Sequence, residues 1–255
     1  MAKTVAVLNQ KGGVGKTTTA VNLSACIGSK DKKVLLVDID PQGNSTSGFG
    51  IDKRNAKASS YDVLIGTKSA EEALIHTKFK NIDVIPSTMD LAGAELEIID
   101  MQNRESLLKN AFAPIWEKYD YIFLDCPPSL GLITLNALTM ADTFLVPIQC
   151  EYYALEGLSQ LMTTVRQVKR RYNPYIELEG VLLTMYDSRL KLTQQVVEEV
   201  KKFFLKKVYA TTIPRNVRLS EAPSFGEPII YYDRSSTGAA AYDSLADEFL
   251  KKQTK

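Results

Sequence analysis

With only three cysteines and one histidine, the sequence excludes several classes of protein. Cys26, Cys126 and Cys150 are odd in number and lack metal-ligand spacing, so neither a disulfide framework nor a zinc site is expected. They read as buried small hydrophobes. His76 lies in a polar stretch beside Thr77 and Lys78 and reads as a solvated surface residue with no partner for metal or acid–base work. No uninterrupted apolar run is long enough to span a bilayer. The apolar N-terminal residues lead straight into a glycine-rich turn, unlike a signal peptide, so a cytosolic protein is expected. Bulk charge is also lacking: 31 basic and 30 acidic residues give a net charge of +1, so any basic surface must come from local clustering. What remains is a chain of 255 residues, 45% hydrophobic and 24% charged. That suits one large domain or two small ones and a substantial core.

The most informative stretch is Lys3 to Thr19. Lys3 to Asn9 is an apolar run with β-branched residues, the pattern of a buried strand. Gln10 to Gly15 is a glycine-rich turn, and a helix is expected from Thr17 to about Gly28. Strand, glycine loop, Gly15-Lys16-Thr17-Thr18 and helix N-terminus together describe a phosphate cradle. Backbone N–H groups and the helix dipole both favour an anion there. Lys16 would reach the β- and γ-phosphates, and the Thr17 hydroxyl would ligate Mg²⁺. The loop departs from the standard pattern, with Gln10 at the place of the first glycine and an additional Lys11 before Gly12-Gly13-Val14.

Further strands are expected at Lys32 to Asp38, Ile82 to Pro86, Tyr119 to Asp125, Phe144 to Ile148, Leu178 to Met185 and Val208 to Ile213. Ser-Thr-Ser-Gly after Asn44 and the basic stretch from Lys53 read as loop. Short helices are expected at Tyr61–Ile65 and Ala70–Ile75, with helical patterns near Leu91–Ile99 and from Glu105 to Lys118. Leu155 to Tyr172 is helical and ends in Arg166, Lys169, Arg170 and Arg171. Leu192 to Leu205 is amphipathic, with Val196, Val197, Val200 and Phe203 inward and Lys201, Lys202, Lys206 and Lys207 outward. Ala239 to Leu250 closes the chain on a stripe of Tyr242, Leu245, Ala246, Phe249 and Leu250. Strands alternate with helices without repeat or linker, so residues 1–255 are expected to form a single doubly wound α/β domain on a mostly parallel sheet. In such a sheet ligands sit beyond the carboxyl ends of the strands. Carboxylates there are suspects: Asp38 and Asp40 after one strand, and Asp125 before Pro127-Pro128 after another, the arrangement that holds a nucleotide-bound Mg²⁺.

Lys11 to Thr18, Asp38 to Gly43, Leu124 to Pro128, Gln149 to Gly157 and Ile213 to Ser224 together resemble the ParA/Soj-type partitioning ATPases, P-loop proteins with a deviant Walker A motif. The likeness runs from Lys3 to about Leu250 and is to the shorter, chromosomal type. It implies two subunits sandwiching two ATP molecules, with Mg²⁺, in a slow, partner-stimulated ATPase. Lys11 would act across the interface on the partner's phosphates, and Gly12 would lie where the loops come closest. Asp40 would orient the attacking water and Asp125 would hold Mg²⁺ through water. Gly12, Gly13, Val14, Gly15, Lys16, Thr17 and Thr18 would wrap the phosphates, Pro214 and Asn216 would lie near adenine, and Glu151 would reach the partner's ribose. The resemblance also implies an ATP-dependent homodimer that binds double-stranded DNA without sequence preference through Arg189 and Arg218, with the four lysines widening the patch. It implies as well stimulation by a ParB/Spo0J-type protein and a nucleoid-associated, cytoplasmic location.

Three other readings share parts of this pattern. A MinD-like membrane regulator would end in a basic amphipathic anchor, whereas the last helix here carries Asp243, Asp247 and Glu248 on its polar side. A GTPase would use Thr184-Met185-Tyr186-Asp187 to read guanine, with Met185 where a lysine belongs. A nitrogenase-iron-protein-like ATPase would hold a cluster on two cysteines per subunit, with Cys126 and Cys150 as candidates.

Overall fold

The computed structural model describes residues 2–151 and 154–254. Seven strands form one sheet: β1 (Lys3–Val7), β2 (Val34–Asp38), β3 (Ile75–His76), β4 (Ile82–Ile85), β5 (Tyr121–Asp125), β6 (Thr143–Gln149) and β7 (Glu177–Thr184). Their order is β3-β4-β2-β5-β1-β6-β7, parallel except for the two-residue edge strand β3. This is the doubly wound α/β architecture expected. The strands read as continuous apolar runs because both faces are covered. On one face Val5, Val7, Leu36 and Phe123 pack with Leu23 and Ile27 of α1 (Lys16–Ser29) and with Tyr242, Leu245 and Phe249 of α11 (Thr237–Gln253). On the other, Ala6, Leu35, Val37 and Leu124 pack with Phe112 of α5 (Leu107–Phe112), Ala137 of α6 (Leu132–Met140) and Leu161 of α7 (Ala154–Arg171). The remaining helices are α2 (Asn44–Gly48), α3 (Ser60–Ile65), α4 (Ala94–Ile98), α8 (Lys191–Phe204), α9 (Val217–Glu221) and α10 (Ile229–Tyr232).

The sheet's register builds the site. Asp125 at the carboxyl end of β5 stands opposite Val7 of β1 on one side and Asp38 of β2 on the other. Two carboxylates and the glycine loop therefore emerge at one edge, β1 being central.

Several elements differ from expectation for identifiable reasons. Ser45 to Gly48 is helical, because the Thr46 backbone N–H and hydroxyl both donate to Asp38 Oδ2 at 2.8 Å. Residues 70–75 form one turn, not a helix, and Ile75 already pairs with Val84. Pro114 leaves the end of the 105–118 segment as 3₁₀ helix. Val208 to Ile213 is not a ladder strand. Tyr209 N–H and Ile213 N–H reach Val181 and Leu183 of β7, but the amides of Ala210 and Thr211, between them, donate to the Glu248 carboxylate of α11, each at 2.9 Å. Phe203 is exposed, and Phe204 packs inward in its place. The helix α6 has no counterpart in the periodicity, being apolar nearly all round. The three cysteines are buried and free. His76 is solvated but not alone: its Nδ1 lies 2.7 Å from Asp83 Oδ1 across the β3–β4 pair.

Candidate functional site

Gly13 (φ 72°) and Gly15 (φ 88°) place left-handed turns on either side of Val14, a conformation that costs a side-chain-bearing residue strain. Val14 is buried, and its carbonyl lies 2.8 Å from the Thr184 hydroxyl, which pins the loop to the end of β7. Asn9 fixes the loop's start: its Oδ1 accepts from Lys11 N–H and its Nδ2 donates to the Pro147 carbonyl. A Cβ added at Gly12 or Gly13 would meet nothing within 4 Å. The loop is thus tied down from behind and open in front.

Its two lysines differ. Lys16 is 7% exposed, and its ammonium donates to the Lys11 carbonyl at 3.2 Å. Burial pulls its pKa down, opposed by Asp125, Cys126 and Asp40. Lys11 keeps 40% of its side chain exposed and pairs with Glu151 of the same chain.

Three aspartates stand at or just beyond the ends of β2 and β5, and two of them, Asp125 and Asp40, act on Lys16. Asp38 is fully buried and committed to structure: besides Thr46 it accepts from the Asp40 N–H at 3.2 Å. Asp40 is nearly buried and accepts from the Gln42 N–H at 3.0 Å. Asp125 Oδ2 accepts from the Ser45 hydroxyl at 2.7 Å, and the Thr17 side chain lies beside the same carboxylate. Burial raises the pKa of Asp125, and the neighbouring Asp38 raises it further. Burial likewise raises Asp38, against the hydrogen bonds it accepts.

These residues fit a magnesium nucleotide. Asp125 Oδ1 is buried with no hydrogen-bond partner, and a buried ammonium beside it has only one carbonyl to donate to. An orphan acceptor next to Thr17 suits a hydrated divalent cation, and Lys16 suits phosphate oxygens. No cluster of three or more acidic, histidine or cysteine side chains able to cage a metal occurs among the described residues. This agrees with Mg²⁺, which keeps several waters and takes few protein ligands. A cavity of about 230 Å³ opens beside the loop, with Gly15, Thr18, Thr184, Met185, Pro214 and Asn216 on its walls. Pro214 and Asn216 thus share a cavity with Gly15 and Thr18 of the loop. Asn216 Oδ1 caps α9 through Leu219 N–H.

Arg189 and Arg218 are both exposed, and both are held by carboxylates. Asp187 grips Arg189 at two points, 2.9 and 2.7 Å. Arg218 pairs with Glu221 at 2.8 Å and Asp233 at 3.4 Å. Lys201, Lys202, Lys206 and Lys207 are exposed, as expected. Tyr152 and Tyr153, within the Gln149–Gly157 block, lie outside the described residues.

Sequence reasoning missed Ser45, Thr46, Asn9 and Thr184 as supports of the site. The first two sat in a polar run that read as loop, and Asn9 read as the last residue of a strand. Arg215 also lines the cavity; its place beside Pro214 and Asn216 was the available signal.

A family model described as an AAA domain matches residues 2–178. The sporulation initiation inhibitor protein Soj of Bacillus subtilis is 57% identical over 248 residues, covering 97% of this chain and 98% of that protein. The chromosome partitioning protein ParA of Myxococcus xanthus is 52% identical, over 100% of this chain and 90% of its own. Among solved structures, a Mycobacterium smegmatis protein described as cobyrinic acid a,c-diamide synthase, with bound ADP and magnesium, superposes with a TM-score of 0.88. It is 38% identical, over 100% of this chain and 96% of its own.

Proposed function

Since the chain belongs to the Soj/ParA family of chromosome-partitioning ATPases, we propose that it binds Mg²⁺ and ATP, pairs with a second copy when ATP is bound, and holds double-stranded DNA without sequence preference in that state. Slow hydrolysis, stimulated by a ParB/Spo0J-type protein, returns it to a free monomer, so it would be cytoplasmic and concentrated on the nucleoid.

Lys16 holds the β- and γ-phosphates, with Gly12 to Thr18 supplying backbone N–H groups. Thr17 and Asp125 are the groups that would hold Mg²⁺, whose charge offsets that of the transferring phosphoryl group. Asp40 stands at the turn beyond β2 with a carboxylate able to orient water, while Asp38 keeps that turn in shape through Thr46. Lys11 completes the partner's centre by placing an ammonium against its phosphates, a trans contribution of the arginine-finger kind.

The observation that carries this reading is the division of labour between two lysines of one loop. Lys16 is buried beside Asp125 and Asp40, whereas Lys11 stands outside on a loop whose Gly12 faces open space. Opposed basic loops repel unless phosphates lie between them, which ties pairing to nucleotide. Phosphate contacts from Arg189 and Arg218 would give DNA binding that weakens steeply with salt. No described helix is long and apolar enough to cross a membrane. Asp243 and Asp247 of α11 pair with Lys30, so the last helix is fastened to α1, and no stable membrane association is expected.

Size-exclusion chromatography of the wild type and Asp40→Ala, with and without ATP, tests the reading. Asp40→Ala should stay dimeric with ATP and bind DNA at low salt but much less at high salt. A variant that hydrolyses ATP at the wild-type rate, or stays monomeric with ATP bound, overturns it.

A further inference from the structure

The segment that leaves β4 is apolar on both sides. Leu91, Ala94 and Ile98 are buried against the core, as the inward face of a short helical segment should be. Leu96 and Ile99, three residues apart and therefore on one face of the turn, are 80% and 45% exposed, and the flanking Met89 and Met101 are 63% and 37% exposed. Glu95 accepts from Ile133 N–H at the start of α6, while Glu97 stays exposed and accepts from the Tyr61 hydroxyl. Four large exposed apolar side chains within one short segment mark an interaction site. Asp90, Asp100 and Gln102 remain around it, a polar rim of the kind interfaces carry.

We propose that this segment, residues 87–101, docks against a second copy of this chain in the ATP-bound dimer. The inference rests on the dimer reading above and extends it. Three observations point to a second copy. First, β4 runs parallel to β2, β5 and β1, so the segment leaves the same carboxyl edge from which Lys11 and Gly12 project. Second, a stable interface buries about 1,200–2,000 Å² in total, and the exposed apolar side chains at that edge add to what the glycine loops would contribute. Third, the segment is fastened to the nucleotide site. Ser87 N–H donates to Thr46 Oγ1 at 2.9 Å, Thr46 holds Asp38, and a Cβ at Gly43 would come within 2.9 Å of the Ser87 carbonyl. A shift of the Asp40 turn on nucleotide binding therefore re-aims the patch, which makes docking dependent on ATP without a separate switch.

The test places Leu96→Glu and Met89→Glu in the Asp40→Ala chain. Dimer population with ATP is measured by sedimentation, and binding of a fluorescent ATP analogue is measured at protein concentrations too low for pairing. Both sites are exposed, so folding should be retained, and Leu96→Met serves as the conservative control. The expected result is at least tenfold weaker pairing for each glutamate variant, with analogue binding unchanged and pairing intact in Leu96→Met. Undiminished pairing in both glutamate variants overturns the proposal. If pairing survives there but the same substitutions in the wild-type chain abolish partner-stimulated turnover, the patch serves another protein, and the proposal is again overturned. If the Asp40→Ala parent stays monomeric with saturating ATP, the dimer reading itself has failed and this inference falls with it.

Discussion

Asp187 holds the Arg189 guanidinium by two hydrogen bonds within the same loop, and Arg189 in turn holds the Asp187 carboxyl down at about 2. Asp187 therefore stays charged at any working pH, and on the proposed function a DNA phosphate would have to compete with it for the same donors. The pair is exposed and separated by two residues, so the competition is mild and screened by salt. Asp187→Asn should accordingly tighten DNA binding by the ATP-bound form about two- to fivefold at low salt, with the gain shrinking as salt rises. Arg189→Glu should abolish binding while ATP-dependent pairing survives. Fluorescence anisotropy with a labelled duplex reads both. If Asp187→Asn weakens binding, the carboxylate is orienting Arg189 toward DNA instead of competing for it.

Among the elements, the most consequential departure from periodicity is the stretch from Val208 to Ile213. Its β-branched and aromatic residues suit a strand, yet Glu248 of α11 takes two of its amides and leaves only isolated bridges to β7. Glu248 thus closes the sheet's edge and sets where Pro214 and Asn216 fall. Two hydrogen bonds to a charged, partly buried acceptor predict that Glu248→Ala destabilises the chain by about 2–3 kcal/mol. It should also weaken nucleotide binding through the displaced Pro214–Asn216 loop. Thermal melts with and without ATP measure both effects, and a melt unchanged from wild type would contradict the first. The same residue shows what was legible in the sequence. Six of the seven expected strands, the phosphate loop and the acidic strand ends follow local rules of periodicity and glycine geometry, and they stand where those rules put them. A carboxylate 37 residues away that captures Thr211 N–H leaves no local trace. Nor does Thr46, whose helix exists because Asp38 of the preceding strand reaches its amide. Long-range capture of backbone donors decides such segments, and propensity is silent about it.

For the molecule as a whole, register sets charge against charge. Asp38 and Asp125 are opposite one another on adjacent parallel strands, fully buried. Burial pushes Asp38 up to about 6, with the Asp40 charge adding to it, and pushes Asp125 up to about 7, with the Asp38 charge adding to it. Both values lie above those of an unfolded chain, so between the ordinary carboxylate range and about 7 the folded state binds more protons than the unfolded one. Stability must therefore fall as pH rises through that window and level off above it. At pH 8 the nucleotide-free chain therefore gives up stability to keep its site charged. Asp125→Asn removes one of the two charges, leaves an oxygen able to accept from Ser45, and should melt about 3 °C or more above wild type at pH 8. The advantage should narrow as pH falls toward 5. With Mg²⁺ and nucleotide the order should reverse, because the wild-type carboxylate then has a cation to face and the amide does not. Differential scanning calorimetry at pH 5, 6.5 and 8, with and without Mg²⁺ and a slowly hydrolysed ATP analogue, separates these cases. A nucleotide-free Asp125→Asn chain less stable than wild type throughout would mean that the carboxylate is held for structure and that the site is not poised for a metal.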